Sequence, residues 1–317
     1  MNLFSYDKPR YTLNQPVRLF ESFSGIGTQA MALKRLGVEI EHVGISEIDK
    51  HAIASYMAIH GDVKNYGNIM EIKGSDLGEI DLFTWSFPCT DLSKAGKQKG
   101  LDGTRSGLGY QVIRIIGEMA VKPKVLLMEN VPDLLSEKFK EGWREMYHEI
   151  EKLGYSNYVE VLNAKNYGVA QNRDRVFMVS ILGDYSYTFP RWVKLEKRLK
   201  DYLEDEVDEK YYLSEEHINK IKAWKSQQNT LDNILSEDDI CPTLTARGAG
   251  ENHSGMILVR DKKGVRTITQ KESWRLMGIS DEDFYKAQKV CSNSQLYKQA
   301  GNAICVPVLE NIFKEII

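Results

Sequence analysis

The sequence predicts an α/β fold: a mostly parallel sheet with helices on both faces, joined to a smaller second domain. Three observations predict it. Apolar, β-rich runs alternate with helix-patterned runs through the first 182 residues. Capping residues punctuate the alternation. After Gly183 the rhythm stops and the composition turns charged and aromatic. Strands alternating with helices of this length belong to parallel sheets, because a parallel crossover needs a connecting helix.

The elements follow in order. Strands are expected at Val17–Phe23, Ile40–Glu47, Asp81–Phe87, Lys124–Glu129, Tyr158–Asn163 and Val176–Leu182, where short apolar runs are bounded by polar or glycine positions. Helices are expected at Thr28–Leu36, Asp49–Ile59, Leu108–Met119 and Phe139–Leu153. Asp49 stands where an N-cap belongs, and Gly37, Gly61 and Gly154 where C-caps belong. Residues 1–182 then form the first domain, 183–291 a second, and 292–317 a C-terminal segment returning to the first.

The bulk composition excludes several classes. The net charge of −3 carries no global nucleic-acid signature, although a basic cleft can open in an acidic body. Four scattered cysteines with no C-x-x-C argue against a disulfide scaffold or a zinc site. No run approaches the ~18 apolar residues of a membrane helix, and we expect a cytoplasmic protein with no metal and no membrane partner.

Five stretches carry candidate chemistry. In "FESFSGIGTQA" (Phe20–Ala30) a strand runs into Gly25-x-Gly27 and then a helix. That arrangement brings a ligand to bare backbone and favours negative groups at the helix start. Glu47 ends the next strand, placed to accept bonds from ribose hydroxyls; a plain strand–helix turn is the alternative. In "SFPCTDLS" the lone Cys89 follows a strand end, where a thiolate can act as a nucleophile and a buried structural cysteine is the alternative. In "VLLMENV" Glu129 brings a carboxylate to the same sheet edge. In "QNRDR" Gln171, Arg173 and Arg175 alternate, so an extended chain points them to one side. "QAGNAICVPVL" places Gly301-Asn302 before a buried run.

These motifs, in this order, resemble the DNA cytosine-5 methyltransferase family, from about Arg18 to Leu309. "FSGIGT" is similar to its cofactor loop, "FPCTDLSKAGKQKG" to its nucleophile loop, "MENV" to its catalytic-acid strand and "QNRDR" to its Q-x-R-x-R element. "RTITQKESWRLMGI" is similar to the motif before its last helices, and "GNAICVPV" to its closing motif. The resemblance implies the Rossmann-like fold of S-adenosylmethionine-dependent methyltransferases. It makes Cys89 the nucleophile and Glu129 the group that protonates the base. Arg173 would help hold a flipped-out base, and Arg175 would support the loop. Phe23, Gly25, Ile26, Gly27, Glu47, Ile48, Asn68, Phe87, Pro88, Leu108, Asn302 and Ile304 would line the S-adenosylmethionine site.

Residues 183–291 would be the target-recognition domain, with Arg247 reading a guanine edge and Ser93, Lys97 and Gln98 also meeting DNA. Arg191, Lys194, Lys197, Arg198 and Lys200 would meet phosphates, or else form a solvated face. The chain departs from the family at Thr90, where glutamine is usual, and at Asn68, where an acid is usual. The partner implied is double-stranded DNA, the state a monomer, and the setting a bacterial or phage restriction–modification system. A tRNA substrate, an NAD-dependent dehydrogenase and an inactive DNA-binding relative are the alternatives. The dehydrogenase leaves Cys89, Glu129 and Arg173 without a role.

Overall fold

The computed structural model describes residues 8–88, 107–216, 218–219, 233–246 and 257–317. Its centre is a six-stranded sheet in the order β2-β1-β3-β4-β6-β5. The strands are β1 (Val17–Ser22), β2 (Ile40–Ser46), β3 (Leu82–Trp85), β4 (Val125–Asn130), β5 (Tyr155–Asn163) and β6 (Asp174–Leu182). The four strands from β2 to β4 pair in parallel, and β6 runs antiparallel to both β4 and β5. All six expected strands are present, the fifth starting three residues earlier than its pattern suggested.

The helices lie between the strands as expected: α1 (Thr28–Arg35), α2 (Lys50–His60), α3 (Leu108–Glu118) and α4 (Lys140–Lys152). Asp49 does cap α2, its Oδ1 accepting the amides of His51 at 2.9 Å and Ala52 at 3.4 Å. Gly61 and Gly154 stop α2 and α4 with φ of 91° and 98°, values a side chain would resist. In α3 the apolar residues recur at helical spacing, so Val112, Ile115 and Ile116 are completely buried. Each contributes roughly 1.5–3 kcal/mol by leaving water.

Two hydrophobic clusters cover the two faces of the sheet. One holds α1 and the C-terminal helix α8 (Val306–Lys314); the other holds α3 and α4. The first also contains Trp274 from α5 (Gln270–Arg275), Phe284 and Ala287 from α6 (Asp281–Gln288), and Leu296 and Ala300 from α7 (Asn293–Asn302). These late helices thus pack on the same core as β1. Among the described residues between β6 and α5 are short 3₁₀ turns and a two-stranded ribbon, β7 (Leu258–Arg260) with β8 (Val265–Thr267).

Topology fixes where a ligand can bind. From β1 the chain moves outward to β2, then returns to place β3 on the other side of β1. The crevice at such a reversal, beyond the carboxyl ends of the strands, is the ligand site of open α/β sheets. The glycine loop leaves β1 and Phe87-Pro88 leaves β3, so both flank that crevice.

Candidate active site at the carboxyl edge of the sheet

A cavity of about 510 Å³ opens at this reversal. Its volume falls within the ~300–1,000 Å³ common for small-molecule sites. Phe23, Gly25 and Ile26 line it from the first loop, Glu47 and Ile48 from the end of β2, and Asn68 from the next turn. Phe87 and Pro88 follow β3, Leu108 opens α3, and Glu129 closes β4. Arg173 and Arg175 come from the start of β6, and Asn302 and Ile304 from the end of α7. Every expected catalytic and cofactor residue among those described faces this space except Gly27. Cys89, Ser93, Lys97, Gln98 and Arg247 lie outside the described residues.

Gly27 faces the other way. A Cβ there would come within 2.5 Å of Tyr56 and His60, so this glycine lets α2 pack beneath the loop. Gly25, with φ 55°, has no atom within 4 Å of where its Cβ would project, and serves as the open side of the loop. Phe23 adopts φ 54°, a left-handed conformation that a bulky residue holds only when its surroundings enforce it.

The loop is held from both sides. Glu47 accepts the Gly25 amide at 2.9 Å with one carboxylate oxygen and the Ile48 and Asp49 amides, at 2.8 and 2.9 Å, with the other. Behind the loop, completely buried Glu21 accepts from Tyr56 Oη at 2.5 Å and from the Ala30 amide at 3.4 Å. Burial pushes the Glu21 carboxyl up to about 7, against the pull of those two bonds. His60 lies 3.1 Å from the Ile26 carbonyl, and burial lowers it to about 4, so it is neutral and donates there.

Glu129 is the chemical centre. It is 8% exposed and pairs with Arg175 Nε at 3.0 Å. Burial raises its pKa, and the charges of Arg175 and Arg173 oppose that rise without reversing it. A carboxyl so placed holds a proton more readily than one in water. The next residue, Asn130, donates from Nδ2 to the Phe87 carbonyl at 2.7 Å and fixes the turn before Cys89. Sequence reading singled out the Glu-Asn pair but missed this bond, which joins strands that sequence spacing does not relate.

The two arginines have different surroundings. Arg175, expected to support the loop, meets Glu129 directly. Arg173 is buried and donates to the carbonyls of Leu244 at 2.8 Å and of Gly301 and Ala303 at 2.9 Å, while its Nε has no partner. Burial lowers Arg173 to about 10, so it stays charged at neutral pH. It ties the 241–246 segment and the end of α7 to the cavity wall. Gly301 makes this possible: a Cβ there would collide with the backbone of Thr245 and Ala246. Gln171, Arg173 and Arg175 do share a side, and the intervening Asn172 and Asp174 are exposed.

Further lining residues were not singled out from the sequence, Ser24 and Lys298 among them. Ser24 Oγ is buried with no partner, and Lys298 on α7 bonds Asp49 Oδ2 at 2.6 Å across the cavity rim. Nothing in a lone serine or lysine marks such a place. Of the cations assigned to phosphates, Lys200 is already paired with Asp238 at 2.6 Å, and Arg198 bonds the carbonyls of Leu195 and Lys197. Among the described residues no cluster of three or more His, Cys, Asp or Glu could hold a metal, and no helix is long and apolar enough to cross a membrane.

Comparison with known proteins agrees with this geometry. The family profile described as C-5 cytosine-specific DNA methylase matches residues 17–317. The type II methyltransferase M2.ScrFI of Lactococcus lactis subsp. cremoris is 34% identical, over 95% of this chain and 99% of its own. The orphan methyltransferase M.SPRI of Bacillus phage SPR is 30% identical, over 95% and 97%. Among solved structures, the Entamoeba histolytica methyltransferase EhMeth superposes with a TM-score of 0.77 over 95% of this chain and 98% of its own, at 19% identity. The S. pombe Dnmt2 methyltransferase gives 0.74 over 93% and 96%, at 20% identity. At these identities the two structures establish the fold alone.

Proposed function

We propose a mechanism from the premise that this chain belongs to the C-5 cytosine-specific DNA methylase family and is a DNA (cytosine-5-)-methyltransferase. It transfers methyl from S-adenosylmethionine to carbon 5 of a cytosine flipped out of duplex DNA, through a covalent bond to Cys89. The dehydrogenase alternative falls with the family match. The observation that carries the mechanism is Glu129, a buried carboxyl gripped by Arg175 in the cavity that the glycine loop also lines.

The cavity suits that methyl donor. The backbone at Gly25 is open, Ser24 Oγ lacks a partner, and Ile48, 75% exposed at the rim, offers an apolar face. Glu47 and Asn68 supply polar edges; Phe23, Leu108, Asn302 and Ile304 complete the enclosure. When bound, S-adenosylmethionine supplies an electrophilic methyl group on a sulfonium centre.

The residues then divide the work. Cytosine carbon 5 is a poor nucleophile. The Cys89 thiolate adds to carbon 6 while Glu129 gives its proton to ring nitrogen 3, so electron density moves to carbon 5, which forms the bond to the methyl carbon as the sulfur–methyl bond breaks and its electron pair stays on the departing thioether. A solvent base removes the carbon 5 proton. Nitrogen 3 returns its proton to Glu129, and expulsion of the thiolate restores the ring. Burial favours the protonated carboxyl that the first step needs, a general-acid task worth roughly 10²–10⁴-fold. The target carbon is inaccessible inside a stacked duplex, hence the flipping. Residues 183–291 are proposed to choose the sequence, with Arg247 at a guanine edge, and Ser93, Lys97 and Gln98 to meet DNA beside the flipped base. The setting proposed is the cytoplasm of a bacterium, as a monomer; similarity to both type II and orphan phage methyltransferases supports a restriction–modification or phage origin.

Tritiated S-adenosylmethionine should label cytosine in duplex DNA and leave tRNA unlabelled; label on adenine, or on RNA alone, would overturn the substrate. A 5-fluorocytosine duplex should trap the wild type covalently, since fluorine cannot leave as a proton. Cys89→Ser should bind the same duplex without trapping. Trapping at the wild-type rate would remove Cys89 as nucleophile.

A further inference from the structure

After β6 the chain turns at Gly183, at the amino edge of the sheet, and runs back toward the carboxyl edge. Ser186 bonds the Pro9 carbonyl at 2.9 Å, the Pro190 carbonyl accepts Tyr167 Oη at 3.1 Å, and the Val193 amide donates to Asn166 at 2.9 Å. Asn166 follows the end of β5 at Asn163. The Asn163 side chain bonds Asn172 and Asp174 at 2.7 and 2.8 Å, on either side of Arg173. Trp192 is thereby returned to the edge that holds the cavity.

There the segment Arg191-Trp192-Val193-Lys194 is exposed throughout, Trp192 at 75% and Val193 at 47%. A fold that buries Trp85 and Trp274 completely leaves this ring in water. Arg191 and Lys194 make no ion pair among the described residues, unlike Lys200 with Asp238, and no acid stands between Tyr185 and Leu195. An uncovered indole between unpaired cations complements a polyanion whose backbone also offers apolar sugar surface; an acidic or plainly apolar partner would not use both features.

We propose that this arm is a second DNA-binding surface, one that holds duplex outside the target sequence. It rests on the reading of the chain as a DNA methyltransferase. Arg191 and Lys194 take phosphates, and the Trp192 ring lies against the sugar–phosphate wall. Such contacts position the duplex without reading its bases.

The test compares wild type, Trp192→Ala and the Arg191→Gln/Lys194→Gln double variant on two duplexes sharing one methylated site, one with long flanks and one trimmed to the site. On the long duplex each variant should bind about three- to tenfold more weakly. The double variant should flatten the log K against log salt slope by about 2, near 0.9 for each phosphate contact. Affinity for the trimmed duplex and turnover at saturating DNA should not change. Unchanged affinity and slope on the long duplex would overturn the proposal. So would equal losses on both duplexes, or a wild-type dimer that the variants dissolve, which would assign the arm to a second copy. A wild type that prefers long flanks yet labels no DNA would keep the arm and sink the methyltransferase reading instead.

Discussion

The carboxyl edge of the sheet and the stretch from Leu199 to Arg275 use buried charge in opposite ways. At the sheet edge, Glu129 meets one arginine atom, and Arg173 Nε and Ser24 Oγ have no partner among the described residues. In the second region buried Arg266 reaches both oxygens of fully buried Glu272, at 2.9 and 2.8 Å, and Asp261 at 2.7 Å. Glu272 also accepts the amides of Glu204 at 2.8 Å and Thr269 at 2.7 Å. One network is saturated and ties three chain segments together. The other is left short of partners, facing a cavity. Buried polar groups without partners cost stability, so a fold keeps them where a ligand completes them. The contrast separates residues that react from residues that hold.

The strongest way to break the contrast is Glu129→Gln. The side chain keeps its shape and loses its proton chemistry. Turnover should fall by roughly 10²–10⁴-fold, while cofactor binding and melting change little. A variant retaining near-normal turnover would place Glu129 with the holding residues.

Arg266→Met tests the other side. It strands Glu272 in the interior, and removing one partner of a buried pair costs about 3–5 kcal/mol. Denaturant unfolding should register that loss, and the Arg266→Met/Glu272→Gln double variant should recover part of it. A loss no larger than that of an exposed pair would show that the network is not integral to the fold.

The same contrast explains what the sequence disclosed. The sheet edge was legible because local rules set it: short apolar strand runs bounded by polar or glycine positions, Asp49 and Gly61 as caps, and a chain reversal that brings strand ends together. Glu47, Glu129 and the Gly25 loop could be placed from those rules. Gly27 could not be told apart from Gly25 by those rules, because a glycine needed for packing against Tyr56 reads the same as one needed for a ligand. The Arg266 network was invisible because its partners lie up to 68 residues apart, from Glu204 to Glu272, in segments without periodicity. Arg175 and Arg173 were assigned to one side correctly, but which of them meets Glu129 depends on the approach of Leu244 and Gly301, which only the tertiary fold supplies.

Glu21 sharpens the comparison, being a holding residue directly behind the reactive loop. Its folded-state value of about 7 lies above the ordinary 4.5. Below pH 4.5 both states carry the proton and its stabilisation is fully present. As pH rises toward 7 the unfolded chain releases a proton that the fold retains, so stability is lost. The ceiling is about 3 kcal/mol, at 1.36 kcal/mol for each unit. His60 and His42, both lowered by burial, slope the opposite way below pH 6.5 and mask the effect in wild type. The difference between Glu21→Gln and wild type isolates it: the variant should gain relative stability between pH 4.5 and 7. A difference independent of pH would mean that Glu21 is ionised throughout.

The smallest expected effect comes from Lys298 and Asp49, the pair across the cavity rim. By position it resembles the reactive set, since both residues line the cavity and join α7 to the start of α2. By exposure it does not: the two side chains are 43% and 30% accessible, so water and salt screen them. The bond to Lys298 holds the Asp49 carboxyl below its usual range, with help from the His51 amide. That stabilisation is present at neutral pH and lost only as pH falls through the Asp49 value. Exposed pairs contribute about 0.2–1 kcal/mol, which corresponds to less than about sixfold in any equilibrium. Lys298→Met should therefore raise KM for S-adenosylmethionine by less than about sixfold and leave kcat alone, and the change should shrink in high salt. A large fall in kcat would instead make Lys298 a member of the reactive set, because a pair this exposed has too little energy to act through structure alone.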